Sequence, residues 1–236
     1  SGRRGELVKV VIYCPVADEL EMFRFATRYA LENAGMECEF VAVIDSITSR
    51  EVRDYIKEKG YSTLEVRGER GDWLYNLYAC WNRGYDAFYE YGADIVVPFG
   101  VDHAFYKGWL KYLVKYVKPN RIVNCKLIES GRLPSIHECR DFGEPVEGRF
   151  RLKEFYEYCE RIWKDELVTD ERSYGRRFDA MPFAVPREVW ELYGPMPKRI
   201  VNGVTGDTYF FNRCRENGVE IVKSLGSISY HYQKRG

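Results

Sequence analysis

The sequence predicts an α/β fold in which a mostly parallel, mixed sheet is flanked by helices, and three observations predict it. Short apolar runs rich in β-branched residues alternate with stretches of helical periodicity. The runs are continuous, as expected of strands buried on both faces. Glycines and prolines fall at the ends of segments, where chain reversals need them. A chain of 236 residues is long enough to bury one sizeable core, and residues 6–236 are taken as a single domain.

Taken in order, residues 7–14 (LVKVVIYC) form the first strand, ended by Pro15 and a loop through Asp18. Residues 19–34 place Leu20, Phe23, Ala26, Tyr29 and Ala30 close to helical spacing, with Gly35 as a C-cap. A second buried strand over 39–44 delivers Asp45 at its end. The helix 49–58, closed by Gly60, leads to a third strand over 63–66. Such repeating units predict right-handed crossovers in a doubly wound sheet.

A helix over 73–91, with Leu74, Leu77, Tyr78, Trp81, Tyr85 and Phe88 on one face, feeds the apolar strand 95–99. Gly100, Asp102 and His103 follow that strand, at the edge where open α/β sheets hold ligands. Asp102 is thus a candidate ligand-binding residue. The alternative is an N-cap for a helix from near Phe105, whose apolar stripe is Trp109, Leu110, Leu113, Val114 and Val117.

Beyond Lys118 the alternation loosens. A strand is expected over 121–128, a long loop over 129–148, and an amphipathic helix over 152–163. A short strand over 179–185 and a helix over 186–192 with proline at its start come next. The helix 204–217, closed by Gly218, precedes two last strands over 220–224 and 227–232. Residues 1–5 read as an unstructured lead.

Lysine plus arginine equals aspartate plus glutamate, 36 each, so no net field draws the chain toward nucleic acid or an anionic membrane. No run of eighteen apolar residues and no signal-peptide pattern occurs, which predicts a cytoplasmic protein with no transmembrane segment. The seven cysteines are widely spaced without a CxxC pair, and read as buried free thiols, with one disulfide as the alternative. Neither GxGxxG nor GxxxxGK[ST] is present, which argues against a Rossmann dehydrogenase and a P-loop NTPase.

Three features together resemble the family 2 glycosyltransferases of the GT-A fold. They are VVIYCPVADE followed by FVAVIDS, the segment WNRGYDAFYEYGADIVVPFGVDHAFYKGWL with its DxD-like motif, and the ending GDTYFFNRCRENGVEI then ISYHY. The resemblance spans essentially the whole chain. It implies a nucleotide-sugar-binding half over 6–105 and an acceptor-binding half over 106–236. A sugar would pass from a UDP- or GDP-sugar to an acceptor hydroxyl with inversion.

By the same resemblance Asp102 would bind the metal and diphosphate, with His231 as second metal ligand and His103 as a further candidate. Oxygen ligands suit Mg²⁺ or Mn²⁺, and a histidine tips the choice toward Mn²⁺. Asp207 would be the general base, with capping of the last helix as its alternative role. Asp45 would bind the nucleobase, and Pro15 and Asn82 would line the nucleotide site. Gly100 stands where the family has the first acid of DxD, and Gly206 where it has a glutamate. A GT-A-fold binding protein without catalysis is therefore one alternative function. A nucleotidyltransferase is another, although PVADELEMFR lacks the Gly-rich basic loop such enzymes carry. His137 and Glu138 read as a metal or acceptor group or as a solvated loop pair, and Arg132, Arg140 and Arg149 as candidate phosphate contacts.

Overall fold

A computed structural model describes residues 8–68, 71–169 and 179–233; the lead at residues 1–5 lies outside them. The first half of the chain runs β1 (Val10–Pro15), α1 (Leu20–Glu32), β2 (Glu39–Ile44), α2 (Arg50–Lys59), β3 (Ser62–Glu65), α3 (Trp73–Tyr85), α4 (Ala87–Glu90), β4 (Ile95–Pro98) and β5 (His103–Phe105). Then follow α5 (Trp109–Val114), β6 (Arg121–Glu129), β7 (Glu138–Cys139), α6 (Leu152–Ile162), β8 (Leu167–Thr169), β9 (Phe183–Pro186), α7 (Arg187–Tyr193), α8 (Gly206–Glu216) and β10 (Glu220–His231).

The strands order as β3-β2-β1-β4-β9-β6-β10-β5, with β7 beside β6 and β8 beside β10. Pairs within β1–β4 are parallel, as are β6 with β10 and with β7; β9, β5 and β8 pair antiparallel. The α/β architecture with its mixed sheet is therefore as the alternation predicts. Strand geometry sends successive side chains to opposite faces. Val10, Ile12 and Cys14 accordingly enter the core under α1 and α2, while Val11 and Tyr13 enter the one under α3 and α8. A third cluster joins Ile228 and Tyr230 of β10 to Phe142, Phe150 and Phe155.

Local chemistry sets the helix ends. The Ser49 side chain accepts from Val52 N–H at 3.3 Å and Gly60 closes α2 at φ 65°, while Asp72 caps α3 through Tyr75 N–H at 2.9 Å. Among the described residues no disulfide joins the seven cysteines, and Cys14, Cys125, Cys159 and Cys214 are buried.

Several boundaries differ from expectation. The helix expected from near Phe105 starts at Trp109, after Gly108 at φ 75°, and residues 103–105 form β5. Asp102 is thus no helix cap. Their pairing with β10 decides this: Phe105 opposes Ser229, Ala104 opposes Tyr230, and His103 opposes His231. The helix expected over 73–91 breaks at Asp86 into α3 and α4. The two last strands are one, β10, whose register against β6 shifts between Ser224 and Ile228. Helix α8 begins at Gly206 after Thr205, so Asp207 lies inside its first turn and is not the cap.

Candidate functional site

Sheet register builds the first part of the site. Glu129 of β6 opposes His231 of β10, which opposes His103 of β5, so three polar residues form a row across neighbouring strands. Paired residues of adjacent strands point to the same face. The two imidazoles accordingly stack, with centroids 5.0 Å apart.

Asp102, in the turn before β5, turns both carboxylate oxygens toward this row. Its Oδ1 lies 3.1 Å from His103 Nδ1, and its Oδ2 lies 3.2 Å from His231 Nε2. The other ring nitrogen of His231 meets Glu129 Oε1 at 3.0 Å. Gln233 completes the chain by donating to Glu129 Oε2 at 2.9 Å. His103 is 4% exposed, and its Nε2 faces the Met181 carbonyl at 3.2 Å, so both its nitrogens are engaged.

Burial and hydrogen bonding pull in opposite directions here. Burial alone would raise the Asp102 carboxyl, but hydrogen bonds from His103 and His231 outweigh it and hold the group well below the usual carboxylate range. Burial lowers His231, yet its bonds to Asp102 and Glu129 carry it up to about 9. Glu129 is lowered in the same way, burial being outweighed by hydrogen bonds from His231 and Ser135. These shifts favour an imidazolium between two carboxylates in this cluster.

Gly100 belongs to the same turn. A Cβ there would stand 2.5 Å from Asp102 Oδ1 and 3.0 Å from His103 Nδ1. An acid there, as the DxD pattern has it, would require the Asp102 carboxylate to turn from its present place.

The second part of the site comes from α8. Asp207 Oδ1 accepts from the Tyr78 hydroxyl at 2.6 Å and from Thr205 Oγ1 at 2.7 Å. Burial, then the hydrogen bond to Asp207, pushes the Tyr78 phenol up to about 12.

Both parts face one cleft of about 500 Å³, lined by Asp102, His103, Glu129, Asp207 and His231. Its walls are largely apolar, with Trp73, Leu77 and Trp81 of α3 on one side and Met181, Phe183 and Phe211 on another. Wider surface grooves of about 720 and 710 Å³ gather none of Asp102, Asp207 and His231.

Other candidates lie apart. Asp45 directly follows β2 and accepts from Ile47 N–H at 3.0 Å, with its other oxygen 4.0 Å from Cys80 Sγ. Pro15 ends β1 opposite Val43. Neither is among the residues lining the cleft. Asn82 holds the Met196 backbone from both sides, donating to its carbonyl at 2.8 Å and accepting from its N–H at 2.9 Å, and it lines the groove beside α4 and α7. The loop pair separates: His137 lines the cleft, with burial lowering its pKa, whereas Glu138 is exposed and 3.8 Å from Lys126. Arg132 and Arg149 pair with Asp141 and Glu144, Arg140 lies over the Tyr158 ring, and none of the three lines the cleft.

Sequence reasoning missed Glu129, Tyr78 and Thr205. Glu129 carried a usable signal, a carboxylate directly after the apolar run LI at the carboxyl end of a strand. Tyr78 carried none, because it sits in the apolar stripe of α3.

Fold and cleft together define a GT-A-like α/β protein. Two glycosyltransferase structures show that likeness. The crystal structure of GalNAc-T7 with UDP, GalNAc and Mn²⁺ matches with a TM-score of 0.62 and 14% identity, over 98% of this chain and 45% of that one. The crystal structure of S. aureus TarS matches with a TM-score of 0.64 and 11% identity, over 95% of this chain and 60% of that one. The chain therefore spans about half of the length of the structures it matches. No family model matches the chain, and no curated protein matches it. Among the described residues no helix is long and apolar enough to cross a membrane.

Proposed function

We propose that the chain is an inverting, metal-dependent glycosyltransferase of family 2 type, which moves a sugar from a nucleoside-diphosphate sugar to an acceptor hydroxyl. One observation carries this reading: Asp102, His231 and Asp207, more than a hundred residues apart at the extremes, meet on one cleft of a GT-A-like fold. The GalNAc-T7 structure holds UDP, a sugar and Mn²⁺, which supports a nucleotide-sugar donor and a divalent cation. In this reading residues 6–105 bind the donor, with Pro15 and Asp45 along the nucleotide while Asn82 is occupied by the Met196 backbone, and residues 106–236 supply His231 and bind the acceptor.

The donor set suits a cation in kind. Asp102 offers hard oxygens and His231 a borderline nitrogen, which favours Mn²⁺ over Mg²⁺. Glu129 stands behind His231 as carboxylates commonly stand behind metal-bound imidazoles. As placed, Asp102 and His231 close on each other, and among the described residues no three His, Cys, Asp or Glu side chains are set to hold an ion. Loading thus requires His231 Nε2 to give up its proton and the pair to part. A divalent cation held there would supply charge against the departing diphosphate.

The remaining steps belong to the chain itself. Asp207 takes the proton of the acceptor hydroxyl as it attacks the anomeric carbon from the face opposite the diphosphate, which inverts the configuration.

Thermal shift with UDP, GDP and dTDP, each with and without Mn²⁺, tests the reading. A metal-dependent nucleotide shift is expected. Asp102→Ala should abolish it, whereas Asp207→Asn should keep it and lower transfer by about a hundredfold or more. No response of the wild-type protein to any nucleotide would instead leave a GT-A-like binding protein.

A further inference from the structure

Asp207 is exposed on the first turn of α8, where a carboxylate with no fixed partner turns freely. Two hydroxyls fix it. Thr205 belongs to the same turn, but Tyr78 reaches across from α3, 129 residues away in the chain. The Tyr78 side chain is itself held, with the residue only 5% exposed. Both hydroxyls converge on Oδ1, so Oδ2 is the oxygen left to take a proton.

Two further contacts bring Tyr78 within reach. Asn82, one helical turn along α3, clamps the Met196 backbone through both the nitrogen and the oxygen of its side-chain amide. The segment entering α8 is thereby docked on the same face of α3 that carries Tyr78. Gly206 then lies against the tyrosine: a Cβ there would stand 2.2 Å from the Pro197 carbonyl and 3.0 Å from the Tyr78 ring. The missing side chain lets the turn close on α3.

Resting on the assignment of Asp207 as general base, we propose that Tyr78 is the positioning residue of that base, locking its carboxylate to α3 so that Oδ2 faces the acceptor hydroxyl. Removing the phenol oxygen leaves the ring to pack on Gly206 while the carboxylate loses its outer anchor. A merely structural tyrosine would lose stability by that change and leave kcat as it was.

Transfer kinetics and thermal unfolding of the full chain test the proposal together. In Tyr78→Phe, kcat should fall about tenfold to a hundredfold, the worth of one hydrogen bond to a charged group. Donor KM and the calorimetric affinity for UDP, GDP or dTDP with Mn²⁺ should stay within about twofold. Adding Tyr78→Phe to Asp207→Asn should cost no further activity. In unfolding, Tyr78→Phe and Asp207→Ala should each lower Tm by about 2–4 °C, and the double variant no more than the larger single. A wild-type kcat in Tyr78→Phe overturns the proposal. Equal losses of kcat and nucleotide affinity, or strictly additive Tm losses, also overturn it. Absence of transfer by the wild-type protein from every donor tried would instead remove the general-base reading on which it stands, while the unfolding cycle still reports the pair.

Discussion

The Glu129 carboxylate, 9% exposed at the end of β6, gives one oxygen to His231 Nδ1 and the other to the Gln233 amide. It lies behind His231, yet it fixes which nitrogen of that ring faces Asp102. Glu129→Gln keeps the size and turns one acceptor into a donor, so one of the two bonds must break. If His231 and Asp102 hold Mn²⁺, its affinity should fall about tenfold to a hundredfold, as loss of a partner behind a metal-bound histidine typically does. Titration calorimetry with Mn²⁺ alone reads this, and an unchanged affinity would show that His231 is oriented without Glu129. At this scale the sequence is uneven. Asp102 is legible because its signal is local, a carboxylate at the end of a buried strand. His231 became a candidate only through a family resemblance, and Tyr78 was indistinguishable from the core residues beside it, since a phenol uses one ring for packing and one oxygen for chemistry.

Helix α3 links the core to the cleft, and its contact with β1 is close. A Cβ on Gly84 would come within 2.1 Å of the Tyr13 ring, which is fully buried and donates its hydroxyl to the Trp81 carbonyl at 2.8 Å. Alanine in a helix gains about 1 kcal/mol over glycine, but overpacking a rigid site costs about 1–3 kcal/mol. At so short a distance the packing term wins. Gly84→Ala should therefore lower Tm by several degrees in thermal unfolding, and a rise would mean that α3 can slide on β1. Elements of this kind were largely legible, since 39–44 was expected and found as β2, and the helices α1, α2 and α6 fall within two residues of expectation. The misses share a cause. β5, β7 and β8 are two or three residues long and exist through pairing with distant strands, so no local periodicity marks them. β5 was also hidden by the alternative of a helix from near Phe105, a helix that in fact begins at Trp109.

Across the whole molecule, the cluster of Asp102, His231 and Glu129 joins the β4–β5 turn to the ends of β6 and β10, so its charges tie together distant parts of the sheet. Its contribution to stability has a definite pH window in metal-free protein. His231 has a folded pKa of about 9 against an ordinary 6.5, and binds its proton more tightly in the folded state. Its contribution is complete below about pH 6.5 and is lost as pH rises through about 9. Asp102 and Glu129 are shifted the other way: their contributions are present above the ordinary carboxylate range and are lost as pH falls through their lowered values. Both conditions hold together between about pH 5 and 6.5, where this cluster should stabilise the fold most. His231→Gln removes the basic limb, and weakens the acid limb as well because Asp102 and Glu129 each lose a partner. Between pH 6.5 and 9.5, Tm measured in EDTA should fall by several degrees more in the wild-type protein than in this variant. Parallel curves would mean that His231 is neutral in the folded protein and that hydrogen bonds without charge hold the row together. Mn²⁺ should flatten the same limb if it occupies the site, because an imidazole bound to metal has already surrendered the proton whose loss destabilises the free protein.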